Sequence, residues 1–282
     1  MIMLKRTYEV IELFFQDYGR PWSDSTIKSY RISLNLFFRY IKKPFDRIEE
    51  EDIMKWLNKL DEAKMRDNSK RIRLAAIRAF FRYAFEEELV EKSPTIDIKL
   101  GTPETPPPYY LSKRQLAELF EIAIESKRNR ALVELAYATG ARISELLSLR
   151  TQDIIWGSRQ IWIRNGKGAK ERFVLFNAEA GARLKEYLST RNVESPYIFP
   201  NGRGGHLSTS WVETIFRQYS RKLGYKVTPH TLRHTFGGHL AEKNMPQSYI
   251  QELLGHRSLA TTRIYTKLNA KARKIQNDSY QV

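Results

Sequence analysis

The sequence of 282 residues contains no cysteine. That absence excludes disulfide bonds, thiolate zinc sites and cysteine nucleophiles. No apolar run is long enough to cross a bilayer, and the charged start, Met1 to Arg6, lacks the apolar stretch of a signal peptide. The GxxxxGK[ST] spacing of a nucleotide-phosphate loop is also missing. We therefore expect a soluble, cytoplasmic protein with no membrane partner.

Positive charge is the strongest bias in the composition. Lys and Arg outnumber Asp and Glu by 48 to 32, which gives a net charge of +16 and a pI near 9.8. Residues 1–92 hold 19 basic and 16 acidic side chains, whereas residues 93–282 hold 29 and 16. Such an excess is typical of proteins that bind nucleic acid, although a lysine-rich protein of another class can also show it.

The first 92 residues have the periodicity of helices. We expect one helix over Thr7–Tyr18, and a second capped by Ser25 or Thr26 that continues through Tyr40. A third surrounds Ile53–Leu60, and a fourth opens at Asn68 or Ser69 with Ile72 among its inward residues. The segment is therefore predicted to be an all-helical domain.

Three arginines recur on one side of the fourth predicted helix, Arg71, Arg78 and Arg82. They are candidates for contacts with DNA phosphates. A solvated helix face explains the same pattern equally well, so the sequence leaves both interpretations open.

Residues 93–110 contain a dense group of prolines, among them Pro106, Pro107 and Pro108. Because proline continues neither a helix nor a sheet, this segment is predicted to be a stiff linker between two domains. After it, the pattern predicts helices over Leu111–Ser126, Asn129–Thr139 and Ile143–Leu149, strands over Arg159–Arg164 and Arg172–Phe176 with a turn at 165–168 between them, and mostly helices from residue 178. The expected fold is mainly α with a small β-sheet.

The segment from Thr228 to His234 has the features of a helix start. Thr228 is a possible cap, and Pro229 suits the first turn. His230 and Arg233 lie three residues apart, so on a helix they share a face that suits a phosphate group. His230 and His234 also have the spacing of a metal pair. We reject a metal site because Arg233 places a cation there and no third ligand is evident.

Three further segments carry candidate residues. Arg142 follows the glycine break at Gly140, and Lys167 lies at the predicted hairpin tip. His256 follows a helix that Gly255 should end, and Tyr265 lies nine residues later. Taken singly, each signal is weak. The chain has 15 tyrosines, and packing beside Leu268 is the ordinary explanation for Tyr265.

Together these segments resemble the active-site motifs of the tyrosine recombinase (phage integrase) family. The matching motifs are TGARISELLSLR, NGKGAKER, HTLRHTF and LLGHRSLATTRIYTK. The resemblance implies a core-binding SAM-like domain over 1–92, the linker 93–110, a mixed α+β catalytic domain over 111–268 and a tail at 269–282. It also implies the catalytic set Arg142, Lys167, His230, Arg233, His256 and Tyr265, with Tyr265 as the nucleophile that forms a 3′-phosphotyrosine.

The family resemblance further implies a double-stranded DNA target, no cofactor and no metal. Four subunits are expected to assemble on two sites, with the tail of one either docking on a neighbour or fraying. The short two-domain plan looks like that of Xer-type recombinases, and the charged composition is suggestive of an archaeal one. An integrase of a phage or mobile element and a type IB topoisomerase are the alternatives.

Overall fold

The computed structural model describes residues 2–101, 108–164 and 171–255. Contacts divide the chain into two compact units, Met1–Thr105 and Pro106–Val282. The division lies within the predicted linker. Across the described residues, no helix is long and apolar enough to span a membrane.

Over residues 2–101, the first unit contains four α-helices and a short 3-10 helix at Phe45–Arg47. The α-helices are α1 (Ile2–Tyr18), α2 (Asp24–Ile41), α3 (Glu50–Glu62) and α4 (Asp67–Glu86). Ser23 caps α2 by accepting a hydrogen bond from the backbone N–H of Thr26. The expected caps, Ser25 and Thr26, are therefore wrong: they lie inside the helix, because the Ser23 hydroxyl already satisfies a free N–H of the first turn.

Aromatic rings fill the core of this unit. Phe80 of α4 makes edge-to-face contacts with Phe14 of α1, Phe38 of α2 and Phe45 of the 3-10 helix, at centroid distances of 5.7, 5.6 and 6.0 Å. Each ring is fully buried. Such pairs add about 1 kcal/mol each beyond the burial of their area. Ile72, expected to face inward, is instead 43% exposed, because the buried face of α4 runs through Leu74, Ala76, Ile77 and Phe80.

In its described part, the second unit combines seven α-helices and a short 3-10 helix at Thr151–Asp153 with one antiparallel sheet. The helices are α5 (Lys113–Ala123), α6 (Lys127–Thr139), α7 (Ile143–Leu147), α8 (Ala178–Ser189), α9 (Thr209–Leu223), α10 (Pro229–Glu242) and α11 (Gln247–Leu254). The strands are β1 (Ile154–Ile155), β2 (Gln160–Ile163) and β3 (Arg172–Leu175), in the order β1-β2-β3. The expected fold class, mainly α with a small sheet, is confirmed.

Buried and exposed side chains alternate along the strands, so one face of the sheet packs against the core. Ile161 and Ile163 of β2 and Val174 of β3 point into the core, whereas Phe173 and Leu175 face outward. Ile163 pairs with Arg172 in the register of the two strands. This pairing therefore holds together the two strand ends that flank the segment 165–170. The expected turn at 165–168 lies outside the described residues.

Helix α10 runs through the interior of the second unit. Most of its residues are buried, including Leu232, Arg233 and Thr235. The segment that enters this unit after the linker lies along α10: the Leu111 N–H donates to the Thr235 hydroxyl at 3.0 Å, and the Tyr110 hydroxyl donates to Glu242 at 2.9 Å. Helix α10 thus carries the predicted site at one end and an anchor for the incoming chain at the other.

Candidate active site

Arg142 owes its position to the glycine break between α6 and α7. Gly140 ends α6 in the left-handed conformation, with φ of 58°, and a Cβ there would collide with the Phe236 ring. The chain can therefore turn sharply, and Arg142 becomes the residue that caps α7. Its side chain keeps 30% of its exposure, so part of the guanidinium group faces solvent.

The start of α10 follows the predicted pattern. Thr228 accepts from the Thr231 N–H at 3.0 Å, and Pro229 occupies the first turn. Two residues predicted to share a face differ in burial, since His230 is exposed while Arg233 is only 3% exposed. Partial desolvation, then the nearby cations of Arg233 and Arg142, lowers the pKa of His230 below its ordinary value. His230 is thus favoured in its neutral form, which a proton acceptor requires.

Arg233 joins two distant segments. One terminal nitrogen donates to the Gly140 carbonyl at 2.7 Å, and the other donates to the Leu254 carbonyl at 2.6 Å. The first carbonyl ends α6 and the second ends α11. A planar guanidinium group can make both bonds at once, which an ammonium group cannot match.

The turn at Leu254–Gly255 is held by both predicted arginines. While Arg233 takes the Leu254 carbonyl, Arg142 donates to the Gly255 carbonyl at 3.3 Å. Gly255 caps α11 with φ of 61°, as expected for a helix that stops at this glycine. The two guanidinium groups therefore converge on the point from which the chain continues toward residue 256.

Glu145 is a site residue that the sequence analysis did not single out. Its carboxylate, 4% exposed, accepts from the Arg142 side chain at 2.9 Å and from the Arg142 N–H at 2.8 Å. Arg172 donates to both oxygens, at 3.0 and 2.8 Å. Burial raises the pKa of Glu145, but the hydrogen bonds from Arg172 and Arg142 outweigh it and hold that pKa below its ordinary value. A capping glutamate three residues after a helix start was the available signal.

His234 lies directly behind His230. The two rings meet at 4.2 Å between centroids, edge to face. Burial, followed by the charges of His230 and Arg233, lowers the pKa of His234 to about 4. Both rings border a cavity of about 460 Å³ that Tyr109, Tyr225 and Lys226 also line.

The three arginines predicted to bind DNA lie on α4 of the first unit. Arg71 donates to the carbonyls of Leu100 and Gly101, and Arg78 donates to the Ile98 carbonyl. Arg78 and Arg82 also line a cavity of about 340 Å³ with Ser93 and Thr95. These contacts give Arg71 and Arg78 a structural task in holding residues 98–101, and DNA binding by all three stays a prediction.

Lys167, His256 and Tyr265 lie outside the described residues, as does the tail at 269–282. The described part of the site is therefore Arg142, His230 and Arg233, supported by Glu145 and Arg172. Two guanidinium groups beside a neutral imidazole can bind a phosphodiester and stabilise the charge that grows on it during attack.

Comparison with known proteins agrees with this chemistry. Residues 109–272 match the model of the phage integrase family, and residues 11–88 match that of the phage integrase N-terminal SAM-like domain. The chain is 35% identical to tyrosine recombinase XerA of Pyrococcus furiosus, over 88% of this chain and 85% of that protein. It is 34% identical to tyrosine recombinase XerC of Oceanobacillus iheyensis, over 86% of each.

Solved structures give the same assignment. A crystal structure of XerA recombinase aligns with a TM-score of 0.56 and 30% identity, covering 98% of this chain and 99% of that one. XerH recombinase bound to palindromic difH in a post-cleavage complex aligns with a TM-score of 0.75 and 25% identity, covering 91% and 80%. The chain belongs to the phage integrase family and is a tyrosine recombinase, an enzyme that carries out site-specific recombination of DNA through a catalytic tyrosine.

Proposed function

We propose that this recombinase is Xer-like and resolves chromosome dimers at a dif-like site, cleaving each strand through Tyr265. The Xer-named relatives cover most of the chain and support this subtype. Because its substrate is the chromosome, the enzyme works in the cytoplasm. The observation that carries the proposal is the convergence of Arg142 and Arg233 on the Leu254–Gly255 turn, with both arginines near enough to help lower the pKa of His230.

In the proposed reaction, the Tyr265 hydroxyl oxygen attacks the scissile phosphorus. A bond forms between that oxygen and phosphorus, and the bond from phosphorus to the 5′-oxygen breaks. His230 accepts the phenol proton, since a tyrosine with a reference pKa of about 10 needs help to lose it. Lys167 donates a proton to the leaving 5′-oxygen. The products are a 3′-phosphotyrosine and a free 5′-hydroxyl.

In the proposed reaction, the two arginines stabilise the negative charge on the phosphate. Attack concentrates negative charge on the non-bridging oxygens, and the forks of Arg142 and Arg233 bind such oxygens in pairs. His256 donates a further hydrogen bond to one of them. The phosphotyrosine ester retains the energy of the cleaved bond, so rejoining needs no nucleotide, and the proposed set uses no metal.

The proposed partner is duplex DNA, with four subunits on two sites. Residues 269–282 dock on a neighbouring subunit in this assembly, and Arg71, Arg78 and Arg82 contact phosphates. The excess of basic residues supports a large electrostatic contribution to binding. Affinity is therefore expected to fall steeply as salt rises.

The nucleophile is tested with a trapped covalent complex. The target is first recovered by footprinting the protein on fragmented DNA of the source genome, and a nicked radiolabelled duplex of that site is then built. Wild type should form a labelled adduct that survives a denaturing gel. Tyr265→Phe should bind the duplex and form none, whereas Tyr249→Phe, at an exposed tyrosine of α11, should react normally. An adduct that persists in Tyr265→Phe would contradict the assignment.

The subtype is tested with a plasmid that carries two directly repeated copies of the recovered site. A Xer-like enzyme should excise the intervening DNA from two identical sites, with four subunits in the complex by native mass. A requirement for two different sites at the ends of a mobile element indicates an integrase. Relaxation of supercoils by a single subunit indicates a topoisomerase.

A further inference from the structure

The strand β3 begins with Arg172, which contacts Glu145, a residue that supports the site. Arg172 is 14% exposed, and its two terminal nitrogens donate to the two oxygens of Glu145 at 3.0 and 2.8 Å. This parallel fork fixes the plane of the carboxylate as well as its position. Glu145 therefore cannot rotate without breaking a bond to Arg172.

The restrained carboxylate of Glu145 also accepts hydrogen bonds from Arg142. The oxygen Oε1 accepts from the side chains of Arg172 and Arg142, and Oε2 accepts from the Arg172 side chain and the Arg142 backbone N–H. Each oxygen is thus shared by both arginines in a buried setting, where electrostatic interactions are strong. The orientation of the Arg142 guanidinium group depends on where Arg172 places the carboxylate.

Arg172 also meets the turn from which the chain continues toward residue 256. A Cβ on Gly255 would lie 2.9 Å from its Nε and 3.0 Å from its Cζ, so the guanidinium group packs directly against this glycine. That Nε is buried and makes no hydrogen bond within the described part of the chain. The Gly255 carbonyl in turn accepts from Arg142. Arg172, Glu145, Arg142 and Gly255 hence form a closed ring of contacts, which we call the Arg172 ring.

We propose that Arg172 is a positioning residue for strand cleavage: through the Arg172 ring it holds the Arg142 guanidinium group in the orientation that stabilises the reacting phosphate. This inference rests on the proposed role of Arg142. A lysine at position 172 would keep the charge, but its single nitrogen lacks the planar fork in which each terminal nitrogen binds one carboxylate oxygen. The opposing interpretation is that Arg172 only fastens the strand β3 to the core.

The neighbouring strand provides a matched control. Arg164 follows β2, on the other side of the segment 165–170, and its Nε donates to the buried Asp153 at 2.7 Å. Asp153 also accepts from the Arg150 N–H at 2.8 Å. Arg164 therefore also fastens its strand to a buried carboxylate, through one bond from a side chain that is 43% exposed, and the contacts described for it lie away from the Arg172 ring.

The test is single-turnover cleavage of the nicked duplex at saturating enzyme, with the DNA dissociation constant measured separately. Wild type is assayed first, and failure to form the Tyr265 adduct overturns the proposed function and this inference with it. With active wild type, Arg172→Lys should lower the cleavage rate by roughly 10- to 100-fold, the range expected when a catalytic group is misplaced by about 1 Å. DNA affinity should stay within about twofold, because the Arg172 ring orients a group for the transition state rather than for binding.

Two comparisons decide between positioning and fastening. Arg164→Lys should lower the rate by less than about threefold, and Arg172→Lys should add less than about twofold in an Arg142→Ala background, since residues that act through one another are not additive. Equal losses for Arg172→Lys and Arg164→Lys, or losses that multiply with Arg142→Ala, would overturn the inference. If Arg172→Lys does not fold, Arg172→Gln, which removes the charge and both terminal nitrogens, is judged by the same two criteria.

Discussion

Replacing Arg233 by lysine separates two tasks of one side chain. Arg233 bonds the Gly140 and Leu254 carbonyls at 2.7 and 2.6 Å and is 3% exposed. In the proposed reaction it also binds the phosphate. Arg233→Lys keeps the positive charge, but its single nitrogen reaches only one of the two carbonyls.

The expected loss of stability in Arg233→Lys follows from the hydrogen bond that is lost. A hydrogen bond from a charged donor contributes about 1.5–3 kcal/mol, and the abandoned carbonyl stays buried. We therefore expect a loss of about 2 kcal/mol in the free energy of unfolding of the second unit. For a unit of this size, that corresponds to a fall of roughly 4–8 °C in Tm. Cleavage should fall further, by about 10²- to 10³-fold, as when one donor to a developing oxyanion is removed.

Scanning calorimetry measures the first effect, and single-turnover cleavage of the nicked duplex measures the second. Arg217→Lys, at an exposed position on α9, is the control and should change neither quantity. An unchanged Tm would show that the two carbonyl bonds do not stabilise the fold. A cleavage rate within about threefold of wild type would refute the need for a planar fork at this position.

Three further predictions use other contacts of the second unit. Gly255→Ala should slow cleavage about tenfold or more, because it adds both left-handed backbone strain of about 1 kcal/mol and a collision with Arg172. The control Gly224→Ala has a similar positive φ but open space around the new Cβ, so it should add only the strain. Equal cleavage rates for the two variants would contradict this prediction. His234 should titrate near pH 4 by NMR. On unfolding, the pKa of this imidazole returns to about 6.5, so the free energy of unfolding should be greatest above pH 6.5 and fall as the pH drops toward 4. His234→Gln should flatten that slope. An unchanged slope would argue against burial of a neutral ring. Tyr137→Phe removes the hydroxyl that lies 2.9 Å from Nδ1 of His239 and should lower Tm by about 2–4 °C, whereas an unchanged Tm would show that this bond contributes nothing.

Local sequence signals predicted much of the frame of the site. Thr228 and Pro229 start α10, Gly140 and Gly255 end their helices, and alternation places the strands β2 and β3. These features depend on residues a few positions apart, whose geometry is set by caps, turns and backbone conformation. The order of charged residues along the chain then identified the family.

Burial and partners were harder to predict. The spacing of His230 and Arg233 gives one helix face, but only packing decides that the first is exposed and the second buried. Ile72 has helical spacing with the core positions and still faces solvent. Periodicity defines a stripe on a helix, and the neighbouring helices decide which part of that stripe is covered.

The sequence by itself determined the mainly helical class, the basic surface charge, the helix that carries His230 and Arg233, and membership of a family with a tyrosine nucleophile. Only the tertiary structure decided that Arg142 and Arg233 meet at the Leu254–Gly255 turn, and that Glu145 is shared between Arg142 and Arg172. The contact between Arg142 and Gly255 joins residues 113 positions apart. No local preference encodes such a contact, because it forms only when α6 and α11 each pack against α10 and bring their ends together.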